Sequence, residues 1–165
     1  MVIMITGLPG TGKTTFAKSL AKALKGKHYN TDIIRDHLGL RGQYDEDSKN
    51  RVYEQLFEET RNTITKGLPV VVDGTFFKKE LRQPFLTLAA SLDSPIFWVE
   101  ITADEPVIKE RVSKKREFSE ADFDVYLKIK RTFEPLEHDH LTLRSDQHTV
   151  EEMIERTKSY YAIAL

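Results

Sequence analysis

Cysteine is absent from this 165-residue chain. Disulfides, zinc–thiolate sites and thiol nucleophiles are thereby excluded, and any chemistry falls to oxygen and nitrogen groups. Long apolar runs are missing as well: none approaches the roughly 20 residues that a membrane-spanning helix needs. Charge of one sign is also lacking, because 25 Lys and Arg against 26 Asp and Glu leave a net charge of −1. A chain so balanced has no global attraction to nucleic acid or to an anionic membrane, although a local basic patch would serve for a strand end. No leader with a basic, apolar and small-residue pattern precedes the first apolar run, and we expect a cytoplasmic protein. Repeats, linkers and low-complexity tracts are not found either. The expectation is one domain over residues 1–165, long enough to bury a proper core.

What the chain does have is concentrated near its start. Gly7-Leu8-Pro9-Gly10-Thr11-Gly12-Lys13-Thr14 matches the phosphate-binding pattern G-x-x-x-x-G-K-[ST] at every fixed position. The glycines let the backbone curl closely around phosphates, so that its N–H groups form an anion nest at a helix N-terminus. Lys13 should reach the β- and γ-phosphates, and the Thr14 hydroxyl should sit on a metal. The expected nucleotide contacts are Gly7, Leu8, Pro9, Gly10, Thr11, Gly12, Lys13, Thr14 and Thr15, with ATP and Mg2+ as the ligands. Context agrees with the motif. Val2-Ile3-Met4-Ile5 is a continuous apolar run suited to a strand buried on both faces, and Phe16, Leu20 and Leu24 follow at helical spacing.

Beyond the loop, strands and helices alternate. His28-Tyr29-Asn30 predicts a short second strand, followed by a helix capped by Thr31 or Asp32 and ended by Gly39. Val52, Leu56, Thr60 and Ile64 mark a long amphipathic helix closed at Lys66-Gly67. Residues 69–73 predict a third strand, 78–90 a helix and 95–99 a fourth strand. Ala103-Asp104-Glu105-Pro106 opens a helix with acids at its start. A further helix is predicted over residues 119–133, a weak fifth strand over 141–143, and a capping box at Thr149–Glu152 for the last helix. Such alternation implies a parallel sheet covered on both faces.

In open α/β sheets, ligands bind at the carboxyl ends of the strands, so the polar residues there are the candidates for chemistry. Asp73 ends the run Val70-Val71-Val72, as a magnesium-holding carboxylate would; an Asp followed by Gly is also an ordinary turn. Asp32 and Arg35 are three apart, on one face of a helix. They suit either a general base beside an anion clamp or a plain cap with a surface ion pair. Arg111, Lys114, Lys115 and Arg116 form a basic cluster that suits a lid over a transferring phosphoryl group or a solvated face. Glu137-His138-Asp139-His140 and the aromatic pairs Phe76-Phe77 and Phe97-Trp98 fit loop and core roles better than metal or base binding.

Gly7–Thr14, Asp32-Ile33-Ile34-Arg35, Val72-Asp73-Gly74-Thr75-Phe76 and Arg82 together resemble the small P-loop kinases. The likeness is to the kinase-like ATPases grouped with polynucleotide 5′-hydroxyl kinases and zeta-toxin-type enzymes, and more distantly to adenylylsulfate kinases. Ser119–Asp122 and Phe133–Leu136 look like that group's region after the lid, so the resemblance covers nearly the whole chain. It implies an α/β P-loop NTPase fold: a five-stranded parallel sheet with helices on both faces, the P-loop strand in the middle and a short lid at about 111–120. It implies Lys13, Asp32, Arg35, Arg111 and Arg116 as catalytic, with Asp32 the base on an acceptor hydroxyl and Arg35 on an acceptor phosphate. Arg111 and Arg116 would belong to the lid, Arg82 would face the acceptor, and Thr14 and Asp73 would hold the metal. The implied activity is transfer of the γ-phosphoryl group of ATP to a small-molecule or nucleic-acid hydroxyl. Adenylylsulfate kinase and an acceptor-less nucleotide switch are the alternatives. The former departs at Asn30-Thr31-Asp32, where those enzymes carry D-G-D-N, and at Asp73-Gly74-Thr75, where they carry a serine-phenylalanine element. Gluconate kinases, with a His near the Arg35 position, fit less well. Oligomeric state has no signal in the sequence.

Overall fold

The computed structural model describes residues 1–114 and 121–163. Among these, five strands and seven helices follow in chain order. They are β1 (Val2–Thr6), α1 (Lys13–Ala23), β2 (Lys27–Asn30), α2 (Thr31–His37), α3 (Glu46–Thr65), β3 (Val70–Asp73), α4 (Lys79–Ser91), β4 (Ile96–Thr102), α5 (Glu105–Ser113), α6 (Phe123–Thr132), β5 (Leu141–Arg144) and α7 (Val150–Tyr160).

The strands form one sheet in the order β2-β3-β1-β4-β5, with every neighbouring pair parallel. The expected P-loop strand, β1, is therefore central. Its register explains its composition. Val2 and Met4 face a layer built from α2, α3 and α4, where Ile34, Val52, Leu56, Phe85 and Leu88 pack around Phe76 and Trp98. Ile3 and Ile5 face the opposite layer, formed by Phe16 and Leu20 of α1 and Met153 of α7. A strand wedged between two helical layers needs apolar residues at every position, because successive side chains alternate faces. Each such side chain contributes about 1.5–3 kcal/mol through burial.

Local signals hold where they are short-range. Thr149 caps α7 as expected, with its hydroxyl accepting from Glu152 N and Glu152 Oε2 accepting from Thr149 N. The cap of α2 differs from expectation. Asn30, not Thr31 or Asp32, takes the N-cap position, and its side-chain oxygen accepts from the N–H groups of Asp32 and Ile33. The extended conformation of the last β2 residue already suits a cap, so helix and strand share one residue without a linker. β4 runs on to Thr102, three residues past its expected end, because β5 pairs with its second half. α6 begins only at Phe123, since Asp122 is its cap and accepts from Val125 N at 2.9 Å.

Candidate active site

The P-loop joins the central strand to α1, and its shape is set by what its glycines touch. Gly7 adopts φ +139, and a Cβ there would lie 2.3 Å from Ile101 O of the neighbouring strand. Gly10 adopts φ +82, and a Cβ there would meet Val112 Cγ1 at 2.7 Å and Ile108 Cγ2 at 3.1 Å. Both positions thus combine a left-handed backbone with a close approach that leaves no room for a side chain. Leu8 packs into a small cluster with Ile108, Val112 and Tyr126, which seats the loop on α5 and α6. The Lys13 ammonium donates to Leu8 O at 2.9 Å, and the Thr11 hydroxyl donates to the same carbonyl at 2.8 Å. Lys13 therefore lies across the loop whose amides would hold phosphates.

Asp73 ends β3 with its carboxylate fully buried. A buried carboxylate needs donors to offset its lost hydration, and three side chains supply them. Thr14 Oγ1 donates to Oδ1 at 3.2 Å, Asn30 Nδ2 donates to the same oxygen at 2.5 Å, and His28 Nε2 is hydrogen-bonded to Oδ2. Asn30 Nδ2 also donates to Thr14 Oγ1 at 3.3 Å. The pair Thr14 and Asp73 offers two hard oxygens side by side at the mouth of the P-loop, a donor set that fits magnesium. Sequence reasoning placed Thr14 and Asp73 here and missed His28 and Asn30. The signal at Asn30 was its strength as an N-cap residue; nothing local distinguishes His28.

The loop after Asp73 is held in place along its length. Gly74 N donates to Ile5 O, Thr6 Oγ1 donates to Thr75 O at 2.7 Å, and Glu134 N donates to Phe77 O at 2.8 Å. Phe76 sits at φ +44, uncommon for a bulky residue. Its buried ring makes edge contacts with Tyr53, Phe85 and Trp98 at 6.1, 5.6 and 6.4 Å. Phe76 and Trp98 are thus core residues. Arg82 completes this brace. It is 2% exposed, its Nε donates to Phe76 O at 2.7 Å, its Nη1 to Pro135 O at 3.0 Å and its Nη2 to Glu134 O. Burial lowers its pKa, and the fields of Glu134, Glu100 and Glu137 oppose that shift. The expectation that Arg82 faces an acceptor is corrected here: its donors go to backbone carbonyls, and the residue ties the β3–α4 loop to the segment after α6.

Asp32 and Arg35 lie on α2, next to the Asp73 cluster. Arg35 is 7% exposed. Its Nη1 donates to Gln43 O at 2.6 Å and its guanidinium lies 4.6 Å from the centroid of the Tyr44 ring. Its Nε has no hydrogen-bond partner among the described residues. Tyr53 of α3 feels the charge of both groups: burial raises its hydroxyl pKa well above the usual range, Arg35 pulls it down and Asp32 pushes it up. The carboxylate, guanidinium and phenol therefore share one electrostatic neighbourhood, which sequence spacing could not reveal for Tyr53.

Arg111 projects from α5 to the P-loop. Its Nη1 donates to Ser145 Oγ at 2.8 Å and Gly10 O at 3.4 Å, and Nη2 to Ser145 O at 3.3 Å. Ser145 Oγ donates in turn to Thr11 O at 2.6 Å. Ser145, just past β5, is a further residue that sequence reasoning missed. Arg116 and residues 115–120 of the expected lid lie outside the described residues. Among the other basic residues, Lys78 pairs with Glu80 at 3.2 Å, Lys79 with Glu137 at 2.5 Å and Lys114 with Glu110 at 2.8 Å. No helix among the described residues is long and apolar enough to cross a membrane.

A central parallel strand feeding a glycine loop, with a buried carboxylate on the adjacent strand, defines an α/β P-loop NTPase of kinase-like architecture. The model of the AAA domain family matches residues 2–136, and the chain belongs to that family. It is 28% identical over 121 residues, 66% of its length, to an uncharacterized protein of Mycobacterium tuberculosis. It is 27% identical over 104 residues, 57% of its length, to the L-seryl-tRNA(Sec) kinase of Methanococcus maripaludis. The chain spans 24% and 38% of the lengths of those two proteins. Its fold matches the APS kinase of Mycobacterium tuberculosis, solved with AMPPNP and APS, with a TM-score of 0.73 at 15% identity over 98% of this chain and 97% of that one. At that identity the likeness is one of fold.

Proposed function

We propose that this protein transfers the γ-phosphoryl group of ATP to a hydroxyl acceptor. The observation that carries the reading is convergence at one edge of the sheet. The P-loop nest after β1, the Thr14–Asp73 oxygen pair and the Asp32 carboxylate all gather at the carboxyl ends of β1, β3 and β2. In this reading Gly7 to Thr15 hold the phosphates of ATP, and Lys13 turns from Leu8 O to the β- and γ-oxygens. Magnesium held by Thr14 and Asp73 would neutralise charge on the same oxygens. Asp32 accepts the proton of the acceptor hydroxyl as its oxygen bonds to the γ-phosphorus and the bond to the β–γ bridging oxygen breaks, releasing ADP. Arg35 orients an anionic group of the acceptor, and Arg111 and Arg116 contribute cationic groups on the lid side. Arg111 Nη1, 3.4 Å from Gly10 O, supports this placement on the phosphate loop. The ion-paired state of Lys78, Lys79 and Lys114 favours a small acceptor over a long polyanion, because each acid competes with phosphate for its lysine.

A nucleotide-dependent switch without an acceptor is the second reading. It is favoured by Arg35, whose Nη1 and guanidinium face already hold Gln43 and Tyr44. Incubation with γ-labelled ATP, Mg2+ and a panel of 5′-hydroxyl oligonucleotides, adenylylsulfate, nucleosides, sugars and aminoglycosides separates the two, with Lys13→Ala as the blank. Label on one acceptor supports the kinase. Label released only as free phosphate supports the switch.

A further inference from the structure

Asn30 stands where the metal pair meets the helix of Asp32. It is the last residue of β2 and is 4% exposed. A side-chain amide offers two N–H donors and two acceptor lone pairs. Here all four are matched: Nδ2 donates to Asp73 Oδ1 and Thr14 Oγ1, and Oδ1 accepts from the backbone N–H groups of Asp32 and Ile33. A helix cap alone does not require this residue. Serine or aspartate caps as well, but neither brings an amide's paired donors to the far side. The amide is planar and rigid, so its two ends move as one body. Whatever shifts Thr14 and Asp73 is passed to the first turn of α2, two residues away along the chain and at the base of Asp32.

We propose that Asn30 is a positioning residue, which sets the Asp32 carboxylate against the phosphate end of the site by fastening the first turn of α2 to the Thr14–Asp73 pair. Its purpose rests on the phosphotransfer reading above, but the linkage can be measured without any acceptor. Linked sites are reciprocal: an event at one is felt at the other by the same factor.

The test is amide hydrogen exchange, followed by NMR with and without MgATP, in the wild type and in Asn30→Ser. In the wild type, MgATP slows exchange at the Asp32 and Ile33 amides by roughly fivefold or more, the lower edge of ordinary coupling between sites. In Asn30→Ser the cap persists and Gly12 and Lys13 still respond to MgATP, while the response at Asp32 and Ile33 is lost. Should the serine variant fail to fold, Asn30→Thr carries the test, since its hydroxyl also caps and it lacks the amide's paired donors without adding a charge beside Asp73. A wild type that binds MgATP without slowing exchange at Asp32 and Ile33, or a response there in either folded variant equal to that of the wild type, overturns the proposal and leaves the phosphotransfer reading standing. A wild type that binds no MgATP overturns both.

Discussion

Replacing Arg82 by leucine tests whether this residue braces the fold or serves an acceptor. Leucine keeps most of the buried stem volume but removes the guanidinium and its bonds to Phe76 O, Glu134 O and Pro135 O. Hydrogen bonds from a charged donor contribute about 1.5–3 kcal/mol each, and the carbonyls nearer the surface recover part of this from water. The net loss should be about 3–5 kcal/mol, the range seen when one partner of a buried polar cluster is removed. For a chain of this size each kcal/mol lowers the melting temperature by about 2–4 °C, so Arg82→Leu should melt about 6–20 °C lower. Arg82→Lys should recover little, because one ammonium cannot reproduce a three-way fork. Thermal unfolding followed by circular dichroism gives the stability, and phosphate release from ATP well below the melting point gives the function. A melting temperature within about 3 °C of wild type, together with lost turnover, would refute the bracing argument and return Arg82 to the acceptor side.

Three further outcomes follow from the geometry. Gly10→Ala forces a side chain into a left-handed backbone 2.7 Å from Val112 Cγ1, and should cost roughly 2–4 kcal/mol while weakening ATP binding; unchanged melting and affinity would contradict the described loop. Thr149→Ala removes the capping oxygen of α7 and should cost about 1 kcal/mol, read as a melting shift of about 2–4 °C with ATP turnover unchanged. Asp146 accepts from Arg144 and from Asp104 N, and the Arg144 hydrogen bonds hold its carboxyl well below the usual range. Its folded pKa is depressed, so its contribution is full above the unfolded value near 4 and is lost as pH falls below it. The stability gap between wild type and Asp146→Asn should therefore be constant near neutrality and narrow below about pH 4; a gap unchanged down to pH 2.5 would show that the pairing does not depend on ionised Asp146.

The parts legible in the sequence are those decided within a few residues. The P-loop, its flanking strand and helix, the carboxylate that ends β3 and the Thr149 capping box each depend on neighbours in the chain, and each stands where expected. The burial of β1 on both faces followed from its unbroken apolar run, since only a strand covered on both faces tolerates one, whereas its central place was implied by the likeness to small P-loop kinases. Arg82 was not legible, because its three partners include Glu134 and Pro135, more than fifty residues away. Asn30 was overlooked for a related reason. Thr31 and Asp32 are equally good caps on local grounds, and only Asp73, brought alongside by the β2–β3 pairing, uses the other end of the amide. Arg111 and Ser145 meet across the sheet edge because β4 and β5 pair, which no spacing in the chain encodes.

The seat of the P-loop on α5 has a mechanical consequence. At Gly10 bare backbone rests on the side chains of Ile108 and Val112, and Leu8 is keyed into the same cluster with Tyr126 of α6. A close-packed contact of this kind transmits displacement rather than absorbing it. The loop, α5 and α6 are therefore one packed unit at this point: a bulkier side chain at Ile108 or Val112 would press on the loop backbone as directly as a side chain at Gly10 would press on α5. Residues far from the loop in sequence thereby share in setting its shape, and a change in α5 is a change in the P-loop.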